Sequence, residues 1–193
     1  MRILLLVVLI SWGANVAASD LVKWSQGIIV MVDGEVRQGE LAFQVSEIVL
    51  FRDAGVVTVF PANKVRSFRN YDQEENINRK FVSRASQTGR IASFYEIVVW
   101  GEVSVMRKLK SQVISNQENS DKDGYDYFIC FQNNLVNLRH FRSKVYPNLI
   151  SSSSQMEVLI SCHHFNPNNK ADAIQIIQFY NRVTYTETLV AGT

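Results

Sequence analysis

The sequence predicts an α+β fold: an N-terminal β-meander that closes into a roll or small barrel, then additional strands, then two or three short C-terminal helices. Two observations lead to this prediction. Short apolar, β-branched runs follow one another from residue 20 onward with turn residues between them, which is the pattern of consecutive antiparallel strands. Apolar residues at helical spacing occur only after residue 137, so helices are expected at the end of the chain.

The first 19 residues have the pattern of a secretory signal peptide. Arg2 supplies a positive charge, residues 4–10 are an unbroken apolar run, and the small residues Val16 and Ala18 suit a cleavage site. The apolar run is too short to span the roughly 30 Å of a bilayer core. We therefore expect an exported protein, located in the periplasm, at the cell surface or outside the cell.

Composition narrows the choice of partners. The chain carries 20 Lys and Arg against 18 Asp and Glu, and loss of Arg2 with the signal peptide brings the charge still closer to zero. A nearly neutral chain has no electrostatic reason to bind nucleic acid or an anionic membrane. No apolar segment after residue 19 is long enough for a transmembrane helix. The expected partner is an unknown envelope or extracellular macromolecule.

Residues 20–90 are predicted to form the β-roll. Asp33 and Gly34 follow the first strand, and this dipeptide favours a tight hairpin turn. The mixed charges of "NYDQEENINRK" indicate a solvated surface. Six segments are predicted as strands: "GIIVMV", "EVRQGELAF", "EIVLF", "VVTVF", "KVRSF" and "INRKFV".

Residues 91–183 are predicted to hold further strands and the helices, either as one continuous domain with the first region or as a second small one. "SFYEIVVWGEVSVMRKL" is a hairpin or one long strand bulged near Gly101. A polar loop follows at residues 111–124. "YDYFICFQNNLVNL" then indicates two strands joined by a turn at Asn133 and Asn134.

Three helical segments follow. Leu138, Phe141 and Val145 form one apolar stripe of a helix that Pro147 should end. Ser154 and Glu157 make a capping box, so a second helix is expected to begin at Ser154. Asn169 is the expected N-cap of a third. Its core-facing residues should be Ala173, Ile176, Ile177 and Tyr180. Residues 184–193 are expected to form a flexible tail.

The second region resembles a known group of proteins. The runs "FYEIVVWGEVSVMRKL", "YDYFICFQNNLVNLRHFRSKVYPNLI" and "ADAIQIIQFYN" look like the C-terminal half of uncharacterised secreted proteins common in Bacteroidetes. The similarity is carried by residues 101–105, 135–138 and 179–181 together with Phe141. Residues 27–41 and 59–68 also look like the N-terminal half of that group, so the resemblance covers most of the mature chain. The chain departs from that group at residues 132–134, where a glycine-containing turn is usual. The resemblance implies export and a β-rich domain with terminal helices, and it implies no catalytic residue.

The stretch "SCHHF" at residues 161–165 looks the most reactive. Adjacent histidines on a helix point about 100° apart, so His163 and His164 do not form the paired ligands of a helical metal site and are only weak metal candidates. The helical wheel places Cys162 toward the core with Val158 and Phe165. Cys162 and Cys130 are the two cysteines, and they either pair in an oxidising compartment or remain free thiols.

No catalytic motif or cofactor-binding motif is present, so we expect a non-enzymatic binding or assembly module without a cofactor. The alternative is a hydrolase of glycans or other polymers that uses carboxylates such as Glu96 and Glu102. These two residues lie six positions apart on candidate strands, which would place them on the same side. Against this, Glu102 falls at the expected turn or bulge near Gly101.

Overall fold

A computed structural model describes residues 22–85, 91–110, 124–152 and 154–191. The predicted signal peptide lies outside the described residues, as does nearly all of the predicted polar loop. The structure contains one ten-stranded antiparallel sheet and four C-terminal helices. The predicted α+β class and the β-rich N-terminal part are therefore confirmed. Within the described ranges, no helix is long and apolar enough to cross a membrane.

All six strands predicted in the first region are present, and four more follow. The strands are β1 Ser25–Met31, β2 Val36–Val45, β3 Ile48–Asp53, β4 Val56–Pro61, β5 Val65–Asp72, β6 Ile77–Ala85, β7 Ala92–Val99, β8 Ser104–Leu109, β9 Tyr125–Phe131 and β10 Asn134–Asn137. Their order across the sheet is β10-β9-β8-β7-β6-β5-β1-β2-β3-β4. Both predicted regions thus contribute to a single sheet.

The predicted closure into a barrel is wrong, because the sheet is open. A 3-10 turn at Ala62–Lys64 leads the chain from β4 back to β5, which pairs with β1. β6 then pairs with the free side of β5, and β7 to β10 extend the sheet in that direction. The growing edge therefore moves away from β4 instead of joining it. The sheet still curls, since the Phe94 N–H on β7 donates to the Ser46 carbonyl beyond β2 at 2.6 Å.

Turn residues explain where the strands end. Gly34, at the β1–β2 turn, has a φ of +96°, a conformation that glycine adopts without steric cost. Gln132 and Asn133 have φ of +49° and +62° between β9 and β10. Asn133 therefore takes the predicted left-handed conformation, but its partner in the turn is Gln132 rather than Asn134.

The first core lies within the curl of β1 to β7. The Phe43 ring lies 4.8 to 6.0 Å from the rings of Phe68, Phe81 and Phe94. Phe68 stacks on Phe81 with centroids 4.4 Å apart. Such offset and tilted ring contacts add to the stabilisation from burial alone. The aromatic cluster holds strands together that are far apart in the sequence.

The second core lies between the other end of the sheet and the helices. The helices are α1 Phe141–Lys144, α2 Tyr146–Ser152, α3 Ser154–His163 and α4 Lys170–Ala191. The structure thus describes four helices, whereas two or three were predicted. α4 continues to Ala191, so the predicted tail begins with helical residues. Val105 and Ile129 from the sheet pack in this core with Phe141, Leu149 and Ile176.

Several helical predictions are confirmed. The Asn169 side chain accepts from the backbone N–H of Ala171 at 2.8 Å and of Asp172 at 3.2 Å, as an N-cap does. α3 begins at Ser154. The helix that Pro147 was expected to end stops at Lys144, but Pro147 itself lies in the first turn of α2. The predicted core residues are all buried: Leu138, Phe141, Val145, Ala173, Ile176, Ile177 and Tyr180.

One prediction about α3 is wrong. Cys162 and Val158 are exposed, whereas Met156 and Ile160 are buried in the second core. Both possible stripes of this short helix carry apolar residues. Packing against α2 and α4 in the second core selects the stripe of Met156 and Ile160, which leaves Cys162 facing solvent.

Candidate functional site

A buried carboxylate at the centre of the sheet is the first candidate site. Glu96 on β7 is 6% exposed and lies directly opposite Arg107 on β8. Arg107 donates through Nε to Oε2 at 2.7 Å and through Nη2 to Oε1 at 3.0 Å. Arg79 on β6 donates through Nη1 to the same two oxygens at 3.0 and 3.2 Å. Glu96 thus accepts four charge-assisted hydrogen bonds.

Sheet geometry explains why these groups meet. Phe94 and Glu96 point to the same face of β7, since side chains two residues apart share a face. Arg107 lies on that face too, as does Val105, which belongs to the second core. The Glu96 network therefore lies on the inner face of the sheet, between the aromatic first core and the helix-covered second core.

The network continues to the strand ends. Arg79 also contacts the carboxylates of Asp72 at 2.9 Å and Glu75 at 2.7 Å. The Arg79 side chain is only 12% exposed, so the prediction of a solvated charged surface is wrong at this residue. On the other side, the Arg107 guanidinium carbon lies 4.3 Å from the ring centroid of Tyr125. Charged groups from four neighbouring strands, β5 to β8, are thereby joined, and a Tyr ring of β9 lies against them.

The electrostatic environment of the network favours the charged forms of both its arginine Arg107 and its carboxylate Asp72. For Arg107, burial is the largest single effect and lowers the pKa, but hydrogen bonds to Glu96 and Tyr127 outweigh it, and the pKa is raised. For Asp72, burial is again the largest single effect and raises the pKa. The backbone N–H groups of Glu75 and Glu74 and the charge of Arg79 together outweigh it, so the pKa of Asp72 lies below its ordinary value.

This depressed pKa makes an acid-stability prediction. A carboxyl whose pKa is lower in the folded than in the unfolded state contributes stability above its unfolded pKa, and loses that contribution as pH falls through the folded pKa. We expect Asp72→Asn to be less stable than wild type at neutral pH and the difference to shrink below about pH 4. Urea unfolding at a series of pH values measures it, and parallel stability curves for the two proteins would contradict it.

The geometry leaves Glu96 without a role in acid–base catalysis. A general acid or base must reach a substrate proton at hydrogen-bond distance, and both Glu96 oxygens already accept from two guanidinium groups. Glu102 is not on a strand: it lies in the turn between β7 and β8 and accepts from the Tyr180 hydroxyl at 3.2 Å. The expectation that Glu96 and Glu102 share one strand face is therefore wrong.

The β7–β8 turn is fastened to α4 by an amide. Asn181 accepts from the Val103 N–H at 2.9 Å and donates to the Val103 carbonyl at 2.8 Å. A Cβ atom at Gly101 would overlap the Asn181 amide, so the glycine makes room for this contact. Residues 101–105 and 179–181, which are far apart in the sequence, therefore meet in space. Their role here is structural.

The histidines do not form a metal site with their neighbours. The His163 ring packs against the rings of Phe165 and Phe179, with centroids 5.3 and 5.6 Å away, and those two rings lie 5.8 Å from each other. His164 is exposed, with a φ of +54° at the end of α3. Within the ranges that the structure describes, no cluster of three or more His, Cys, Asp or Glu side chains could hold a metal ion.

The two cysteines lie far apart in the architecture. Both are free thiols in the structure. Cys130 follows Ile129 on β9 and so points to the face of the sheet opposite the helices. Cys162 is exposed on α3, whose buried residues Met156 and Ile160 belong to the same core as Ile129. The disulfide stays a prediction, and the intact mass of non-reduced protein decides whether two hydrogens are missing.

An uncharged sheet edge is the second candidate site. β4 is the last strand of the sheet and pairs only with β3, through six successive residue pairs without a bulge. Val56, Val57 and Val59 are 67%, 50% and 53% exposed. No charged residue occurs in "VVTVFP". At the opposite edge, the shorter β10 has α1 packed against it.

Sequence reasoning identified β4 as a strand but not as an edge. The Glu96–Arg79–Arg107 network was missed as well, although one signal was present: Glu96 is the single charged residue of an otherwise mostly apolar strand segment. Comparison of the chain with protein-family models, with curated proteins and with solved structures gives no match.

Proposed function

We propose that the protein is an exported, non-enzymatic module that binds another polypeptide by strand addition at β4. The observation that carries this proposal is the exposed, regular and uncharged edge of the sheet. An edge strand offers a row of backbone donors and acceptors to an incoming strand, and its side chains provide pockets and contacts for selectivity. Natural proteins usually protect such edges with charges, bulges or a covering element.

Two features of β4, together with the expected export of the chain, support binding over a merely tolerated surface. Its outward side chains are β-branched on both faces of the sheet, and such residues favour cross-strand packing. Its six-residue pairing with β3 keeps the strand straight and in register. The expected export of the chain fits a role in assembly at the cell envelope.

The alternative, a polymer hydrolase that uses carboxylates, has less support. Such enzymes need two carboxyl groups about 5–10 Å apart that flank the bond to be cleaved. Glu96 is buried under two arginines, and Glu102 is bound by Tyr180 in a turn.

A capture experiment with matched variants tests the proposal. Protein lacking residues 1–19 is immobilised and exposed to envelope extract as wild type, as Val57→Lys/Val59→Lys, and as Val158→Lys. Val158 is a similarly exposed valine, 65%, on α3 away from the edge. We expect the edge variant to lose proteins that both other forms retain, because two ammonium groups disfavour strand addition. Equal capture by all three forms would refute the proposal.

A further inference from the structure

We propose that β4 pairs with β4 of a second copy of the chain, in an antiparallel two-fold dimer centred on Thr58. The inference rests on the proposed function, since it names the partner of the same edge. A two-fold axis perpendicular to the sheet would join the two open edges into one continuous sheet of twenty strands. Each subunit would present the same surface to the other, as two-fold symmetry requires.

The sequence of β4 is self-complementary in this register. Thr58 lies opposite Thr58 of the second copy, Val57 opposite its Val59, and Val56 opposite its Phe60. Thr–Thr, β-branched and aromatic–β-branched pairs are favourable cross-strand neighbours. The two central Val57–Val59 pairs lie on one face, because Val57 and Val59 share a side of the strand. Val56 and Phe60 meet on the other face.

Charge also favours a copy of the same strand. A charged edge strand placed against itself across a two-fold axis brings like charges together, which destabilises the pair. β4 carries no charge between Val56 and Pro61. On the neighbouring strand, Arg52 donates to Glu40 at 2.6 Å, and the exposed Asp53 lies at the strand end, opposite Val56. No charge within β4 itself opposes its own two-fold image.

The geometry of the edge leaves room for the partner. Thr58 and Val59 are exposed, and Phe60 is only partly covered, with the Arg37 guanidinium carbon 5.3 Å from its ring centroid. Pro61, which lacks an N–H and would interrupt a ladder, stands at the last position of the strand. The five residues before it can all take part in the new pairing.

Sedimentation and crosslinking test the dimer. Wild-type protein lacking residues 1–19 is expected to sediment as a dimer that dissociates on dilution, and Val158→Lys to do the same. Val57→Lys/Val59→Lys should raise the dissociation constant at least about tenfold, because each new ammonium faces another across the axis. Circular dichroism confirms that the edge variant is folded, since both positions are half exposed or more.

A crosslink reports the register independently. In a Cys130→Ala/Cys162→Ala background, Thr58→Cys should give a disulfide-linked dimer on oxidation, because opposing Cβ atoms in antiparallel strands lie about 4.5–5.5 Å apart. Val56→Cys, whose opposite residue is Phe60, should crosslink far less. The proposal would be overturned if the wild-type protein were a monomer at all concentrations, or if the edge variant dimerised as strongly as wild type. Equal crosslinking of Thr58→Cys and Val56→Cys would overturn it as well. Edge-dependent capture from extract by a monomeric protein would leave the proposed function standing and refute only the second copy as partner.

Discussion

Glu96→Gln is expected to lower the free energy of unfolding by about 3–5 kcal/mol, because removal of one member of a buried ion pair leaves its partner's charge uncompensated. The charge of Arg107 is left least compensated, because Glu96 is the carboxylate that it contacts. Arg79 keeps Asp72 and Glu75 as partners. The effect should appear as a lower urea midpoint with an unchanged slope, which indicates lost stability and not a changed unfolded state.

Glu40→Gln provides the matched control. Glu40 also faces an arginine, Arg52, across neighbouring strands at 2.6 Å, but the side chains are 35% and 34% exposed. Exposed ion pairs contribute little to stability, so this variant should unfold near the wild-type midpoint. If Glu96→Gln unfolds there as well, the network is not a stabilising feature of the sheet and its carboxylate is available for another role.

Asn181→Ala is expected to destabilise the protein by about 2–4 kcal/mol, because it leaves the buried N–H and carbonyl of Val103 without their amide partner. Gly101→Ala should cost about 1–3 kcal/mol through overlap with the Asn181 side chain. The three nearest atoms to a Cβ at Gly101 all belong to the Asn181 amide. The two changes should therefore not be additive.

A double-mutant cycle isolates this contact. In the Asn181→Ala background the added methyl group at Gly101 meets no amide, so Gly101→Ala should be nearly neutral there, and the coupling energy should approach the full cost measured in wild type. Gln178→Ala, an exposed change on the same helix, controls for altered helix propensity. Additive effects within about 0.5 kcal/mol would contradict the proposed overlap.

Local signals predicted most of the elements correctly. Asp33 with Gly34, and Asn133 with its neighbour, are turns because few residue types adopt a positive φ without strain. α3 begins at Ser154, as the local pattern predicts, and Asn169 caps α4 because its side chain accepts from free N–H groups of the first helical turn. These features depend on interactions among neighbours in sequence, so a single sequence contains the information.

The wrong predictions concern features that depend on contacts between residues far apart in the sequence. Closure into a barrel failed because β5 pairs with β1, and β6 then extends the sheet away from β4. The inward stripe of α3 was misassigned because a ten-residue helix with two partly apolar stripes is oriented by what it packs against. In both cases several arrangements satisfy the local preferences equally well.

The sequence by itself determined the strand segments, the helix starts and the late position of the helices, since these follow from residue spacing and turn chemistry. Only the tertiary structure decided that β4 is an uncovered edge and that Glu96 lies between Arg79 and Arg107, which are 17 and 11 residues away from it. The physical reason is that an edge and an ion-pair partner are both set by strand order and register. Those depend on cooperative packing across the whole sheet and not on the propensity of any one segment.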